Sequence, residues 1–267
     1  MTEDTDTARL TRDARGVATL VMQRSARHNA LSAALIDALT AALEAAEADP
    51  AVRVVVLASE GPTFCAGADI GEMRVSADAS EADNQREATR LAALLSRLDG
   101  LARPTVARIQ GNAFGGALGL IAACDVAIAA QAALFALTEV RLGIVPAMIS
   151  PYVIRAIGAR QARRLFLTGE RFDAAEAARI GLVHLAVPAA DLDESVGKVT
   201  DQLLLGAPGA QAEAKRLIRH VTGRSEQLDR ESGEETARWI ARLRAGTEGR
   251  EGLSAFLEKR PPSWRSA

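Results

Sequence analysis

Residues 52–57, Val-Arg-Val-Val-Val-Leu, form a near-continuous β-branched run. Such a run suits a strand buried on both faces, and a strand of that kind needs layers packed on each side of its sheet. The neighbouring sequence supplies them. Val17 to Met22 alternates small and apolar residues and reads as a strand. Leu31, Leu35, Leu39 and Leu43, with alanines between, make a helical stripe that begins near Ser32 and ends at Asp49-Pro50. Residues 85–98 read as a helix, while the polar residues 74–84 read as a mobile segment. Pro104 to Ile109 is a further strand, and Gly111 to Cys124 is a glycine-rich turn running into a buried helix. Asp125 to Ala129 and Leu134 to Ala136 are short strands. Helices follow at Ser150–Ile157, Ala159–Leu167 and Ala174–Ile180, the last with a capping-box-like pair, Asp173 and Glu176, and a C-terminal Gly181. Val183 to Val187 is the final strand. From about residue 191 the pattern is helical only, broken by Gly206, Pro208 and Gly209. Strands alternating with helices, then helices alone, predict an α/β core with a helical C-terminal extension. The apolar side of that extension must pack on its own core or on a neighbouring subunit.

Several classes of function are excluded by composition. The 267 residues carry a net charge of −2, which suggests neither nucleic acid nor an anionic membrane as partner. Cys65 and Cys124 do not make a disulfide framework, and buried free thiols in a reducing, cytoplasmic setting fit better. Met1 to Thr7 is acidic and polar, unlike a signal or transit peptide. The apolar stretch Ala113–Ala130 carries Asp125 and three glycines, so a buried helix and strand are expected there rather than a membrane span. No His/Cys/Asp cluster has metal-ligand spacing. His28, His184 and His220 read as structural or exposed, and no GxSxG motif occurs.

Three segments could carry chemistry. Phe64-Cys65-Ala66-Gly67-Ala68-Asp69-Ile70 follows a strand, and a helix can start near Asp69. Its small residues would let a ligand approach free backbone N–H groups, or it is simply a tight turn capped by Asp69. Gln110 to Leu120 also follows a strand, with Gly115 and Gly116 at a helix start; the alternative is close helix packing. It is neither a P-loop nor a dinucleotide fingerprint. Leu137 to Pro146 places Glu139 in an apolar loop at a strand end. A carboxylate there tends to a raised pKa suited to acid/base work; the alternative is a salt bridge with Arg141 or a helix cap.

Taken in order, these segments resemble the crotonase superfamily, the enoyl-CoA hydratases and isomerases, across essentially the whole chain. Arg27-His28-Asn29-Ala30-Leu31-Ser32 is similar to that family's RxNAL segment, and residues 64–70 to its AGAD turn. Residues 110–120 are similar to its NGxAxGGG turn. Residues 166–183 are similar to its LTG…A…A…GLV stretch, and Gly252 to Arg260 to its GxxAFxEKR end.

The resemblance implies a ββα spiral core over residues 1–190 holding an acyl-CoA site. It implies a helical region over 191–267 for oligomerisation, as a homotrimer or a dimer of trimers, and for covering CoA. It implies an enzyme, a hydratase adding water to an enoyl-CoA, with isomerisation, decarboxylation or non-catalytic acyl-CoA binding as alternatives. Two backbone N–H groups would polarise the thioester carbonyl, and the matching positions are Ala68 and Gly116. Family hydratases often use two glutamates; the first would fall at Gly119, where it is missing, and the second matches Glu139. For CoA the matching candidates are Arg24, Arg27, Ala66, Phe256 and Lys259. No cofactor is implied beyond the CoA of the substrate, and no metal. Gly143 to Val153 resembles the methylglutaconyl-CoA hydratases of leucine breakdown and the related isohexenylglutaconyl-CoA hydratases. A second substrate carboxylate could then meet Arg141 or Arg74.

Overall fold

The computed structural model describes residues 7–265, so most of the acidic segment 1–7 lies outside the described residues. The β-branched run is the strand β3 (Val54–Ser59), and all its residues are buried. It lies inside a six-stranded sheet with β1 (Ala8–Arg12), β2 (Val17–Met22), β5 (Thr105–Ile109), β7 (Val126–Ala130) and β10 (Leu185–Val187), in the order β1-β2-β3-β5-β7-β10. Only β1 runs antiparallel, against β2; the other pairs are parallel. Period-two alternation sorts the side chains of β3. Val55 and Leu57 face the main core, while Val54 and Val56 join Val106, Ile128, Leu192 and Val196 on the other face.

A second sheet was not legible as such. It consists of the three-residue strands β4 (Thr63–Cys65), β6 (Asn112–Phe114), β8 (Leu134–Ala136) and β9 (Arg171–Asp173), in that order. After β3, β5 and β7 the chain turns through a short loop into β4, β6 and β8, and then into helix. This gives a repeating strand–strand–helix spiral with no repeat in the residues. The crossovers lie against one another: a Cβ on Gly111 would overlap the carbonyl oxygen of Pro62. Phe135 of β8 and Phe172 of β9 stack at 5.7 Å, closing this sheet over the core.

The helices follow the expected signals closely. Helix α1 (Ala33–Ala48) starts at Ser32, whose hydroxyl accepts from the Leu35 N–H. Helix α4 (Gly116–Ala123) is buried along most of its length. Helix α5 (Ser150–Thr168) breaks at Gly158, and α6 (Ala174–Arg179) starts at Asp173, which accepts from the Glu176 N–H. The polar segment 74–84 differs from expectation: it is mostly helix, shared between α2 (Ile70–Asp78) and α3 (Glu81–Gly100). The N-caps Asp69 and Ser80 and the pairing of α3 with later helices outweigh its low hydrophobicity.

The four C-terminal helices fold back on their own chain. Helix α7 (Leu192–Leu205) covers the outer sheet face, next comes α8 (Pro208–Val221), α9 (Glu226–Ala245) packs on α3, and α10 (Thr247–Leu257) packs on α2 and on the turn at residues 139–142. Ionic ties fix them there. Asp99, at the end of α3, accepts from Arg155 at 3.2 Å, Arg219 at 2.9 Å and Arg224 at 2.6 Å, and Asp229 of α9 accepts from the last two. Among the described residues, no helix is long and apolar enough to cross a membrane. Removing one partner from a shielded network leaves unpaired charge, so Asp99→Ala is expected to cost about 3 kcal/mol. The melting midpoint will then fall by roughly 6–12 °C in calorimetry.

Candidate active site

Two turns leave backbone donors unspent. In the first, β4 passes through Ala66, Gly67 and Ala68 to Asp69, the N-cap of α2. Leu31 pairs with this turn as an isolated parallel bridge. The Leu31 N–H donates to the Gly67 carbonyl at 2.7 Å, and the Asp69 N–H donates to the Leu31 carbonyl at 3.2 Å. In a parallel ladder the residue between those two points its own N–H to the opposite side. That residue is Ala68, and it is exposed. In the second turn β6 leads through Gly115 into α4. Gly115 has a φ of 54° and a ψ of −122°, a conformation glycine alone adopts readily. Gly116 then starts the helix, where N–H groups have no intrahelical acceptor. Among the described residues, neither the Ala68 N–H nor the Gly116 N–H meets a hydrogen-bond acceptor.

The two turns touch. A Cβ built on Gly67 would lie 2.9 Å from the Phe114 carbonyl oxygen, and one on Gly115 would lie 3.8 Å from the Gly67 Cα. Glu139 closes the third side. It starts a single 3-10 turn, Glu139–Leu142, just beyond β8, and its Oε1 lies 3.2 Å from the position of a Gly115 Cβ. Its Oε2 is buried without a hydrogen-bond partner. Burial therefore pushes the carboxyl up to about 7. The alternative of a Glu139–Arg141 salt bridge is not what forms: no ion pair to Glu139 occurs among the described residues, and the Arg141 guanidinium turns to the Thr168 carbonyl at 3.4 Å.

Apolar side chains pack closely on the glycines of α4. A Cβ on Gly116 would meet Leu31 Cδ1 at 2.8 Å and Leu91 Cδ2 at 3.8 Å. One on Gly119 would overlap Ile149 Cγ2 and lie 2.8 Å from Ile149 Cβ. Gly119 thus contributes close packing and no functional group, and Ile149 fills the space a side chain would need. Ile149 and Leu91 carried no sequence signal beyond being apolar.

The other expected residues scatter. Arg24 turns inward, to Asp69 at 3.0 Å and to the Ala30 carbonyl at 2.6 Å. Arg27 is exposed at the end of a 3-10 turn. The Ala66 N–H is taken by the His28 carbonyl at 3.0 Å. Phe256 is exposed near the end of α10, and Lys259 is exposed just beyond it. Arg74 is exposed on α2. His28 meets the Thr63 hydroxyl, His184 accepts from the Ala127 N–H, and His220 is exposed. Cys65 and Cys124 are free and buried, and burial pushes both thiols up to about 12. No group of metal-ligating side chains occurs among the described residues.

The model of the enoyl-CoA hydratase/isomerase family matches residues 12–267. The chain belongs to this family. A relative in Escherichia coli, 2,3-dehydroadipyl-CoA hydratase, is 34% identical over 248 residues, covering 92% of this chain and 94% of that protein. The crystal structure of an enoyl-CoA hydratase from Mycobacterium avium superposes with a TM-score of 0.85 at 38% identity, covering 97% of this chain and 99% of that one. One from Shewanella pealeana gives 0.80 at 41% identity, covering 98% and 97%. The spiral of short strands is what brings turns 67–69 and 115–116 side by side.

The raised carboxyl has a consequence for stability. Its folded value is about 7 against an ordinary 4.5, so between these pH values the folded chain holds a proton that the unfolded chain has lost. Stability therefore falls as pH rises through this window. Glu139→Gln is expected to melt above wild type at pH 7.5, with the gap closing as pH drops toward 4.5; scanning calorimetry across that range checks it.

Proposed function

We propose that this chain adds water across the α,β double bond of an enoyl-CoA thioester, with one carboxylate handling both protons. The observation that carries this reading is the buried Oε2 of Glu139, which has no hydrogen-bond partner, close to two N–H groups that lack acceptors. The thioester oxygen sits between the N–H groups of Ala68 and Gly116. As hydroxide adds at Cβ, negative charge moves onto that oxygen, and fixed backbone dipoles stabilise it without reorganising; one such donor is worth about 3–4 kcal/mol.

Glu139 takes the proton of the attacking water in its ionised form. The enolate collapses, and the same carboxyl returns a proton to Cα. A carboxyl near 7 is suited to both halves, since it neither holds its proton too tightly nor releases it too readily at neutral pH. With Glu139 handling both protons, both halves use one face of the substrate. The lack of room at Gly119 supports that single-carboxylate route.

The finer reading is a substrate with a second carboxylate, methylglutaconyl-CoA in leucine or isoprenoid breakdown. The resemblance of residues 143–153 supports it, as does a relative named for dehydroadipyl-CoA. Arg141, which donates to the Thr168 carbonyl at 3.4 Å, and Arg74, exposed on α2, are the candidate cations for that group. Arg27, Phe256 and Lys259 remain available for CoA on exposed positions, in a cytoplasmic trimer or pair of trimers.

Loss of the conjugated thioester absorbance, with heavy oxygen from labelled water in the product, tests the reaction. Wild type will show both, and loss of absorbance without label would indicate isomerisation instead. Glu139→Gln is expected to lower kcat by about 100- to 10 000-fold. In wild type kcat/KM will rise with pH up to about 7 and then level, because the ionised carboxylate starts the reaction. A flat profile, or near-normal turnover in Glu139→Gln, would remove Glu139 from the mechanism.

A further inference from the structure

The Arg24 guanidinium touches both sides of the turn that presents Ala68. Its Nη2 donates to Asp69 Oδ2 at 3.0 Å, and its Nη1 donates to the Ala30 carbonyl at 2.6 Å. Ala30 immediately precedes Leu31, the residue bridged to Ala68, and Asp69 immediately follows Ala68. The guanidinium thus staples the two strands of the bridge just beside the free donor.

The clamp is built from below. Arg24 donates its N–H to Asn29 Oδ1 at 2.9 Å, and the Asn29 N–H returns to the Arg24 carbonyl at 2.9 Å. Asn29 is fully buried, and its Nδ2 donates to the carbonyls of Glu60 at 2.8 Å and Thr63 at 2.9 Å. Arg24 is therefore anchored to the start of β4. The two side chains of the ion pair are only 16% and 15% exposed, so solvent screens it little.

Charge gives a second reason for the pair. Asp69 also caps α2 through the Gly71 N–H at 2.8 Å, which fixes its carboxylate one residue from Ala68. Left alone, that negative charge would oppose an anion forming at the Ala68 N–H. A cation in direct contact cancels it. Each η nitrogen of Arg24 already donates within the protein, and the side chain is only 16% exposed, so little of the guanidinium is left facing solvent for a phosphate.

We propose that Arg24 is a positioning residue, which holds the Ala68 donor through Asp69 and Ala30 and neutralises Asp69, and is not a phosphate ligand for CoA. The proposal rests on the hydratase reading and specifies how one of its two donors is held.

Two thioesters of one enoyl acid, with CoA and with pantetheine, separate the roles, because pantetheine carries no phosphate. Arg24→Met is expected to lower kcat about 10- to 100-fold on both thioesters by the same factor. The Kd for free CoA, by titration calorimetry, will stay unchanged. Arg24→Met/Asp69→Asn will be no slower than Arg24→Met, since the uncompensated carboxylate is gone. Should Arg24→Met fail to fold, Arg24→Lys, which keeps the charge but spans only one contact, will show the same equal loss on both thioesters at smaller size. A loss confined to the CoA thioester with weaker CoA binding, or unchanged kcat, overturns the clamp. A wild type that hydrates neither thioester overturns the hydratase reading, and the clamp's role with it.

Discussion

Leu31 gives both its backbone groups to one short turn, and the site depends on that pairing. With the Gly67 carbonyl and the Asp69 N–H engaged by Leu31, the intervening Ala68 N–H has to face the other way. What lies on that other side is the second turn, at Gly115 and Gly116. The donor geometry is therefore set by sheet-like pairing, which leaves no side-chain freedom to average it out. A hole made of backbone N–H groups costs no rotamer entropy when a ligand oxygen arrives, unlike one made of long side chains.

The spiral explains why the two turns can meet. Each is the end of a three-residue strand in the small sheet, and those strands are neighbours. Close approach of β4 and β6 sets the spacing of the turns, and β8, beside β6, delivers Glu139. The burial that raises its carboxyl comes from the same contacts. The destabilising cost of that buried group is borne by a core filled from both sheets and by helices folded back over them.

Long elements of the fold were legible because each carries a period. The buried run at β3, the leucine stripe of α1 and the caps at Ser32 and Asp173 lie where the residues indicated. Three-residue strands are too short for alternation to show: of the second sheet, Leu134–Ala136 was read as a strand, while β4, β6 and β9 were not. At the site, small residues marked the two turns and an acid in an apolar loop marked Glu139, while Ala68 and Gly116 were singled out by the family resemblance. Arg24 and Ile149 were not readable for what they do. One acts through an ion pair spanning 45 positions, and the other through contact with a glycine 30 positions earlier. The family resemblance made Arg24 a candidate for CoA; its tertiary partners are Asp69 and the Ala30 carbonyl.

The state of the thioester carbonyl tests the two donors most directly. An acyl-CoA labelled with carbon-13 at the thioester carbonyl and saturated at Cα–Cβ binds without reacting, and difference infrared spectroscopy isolates its stretch. If the N–H groups of Ala68 and Gly116 hold that oxygen, the band will move to lower frequency than in water, and Gly116→Pro, which removes one donor, will move it back. A bound carbonyl that vibrates as it does in water would contradict the account.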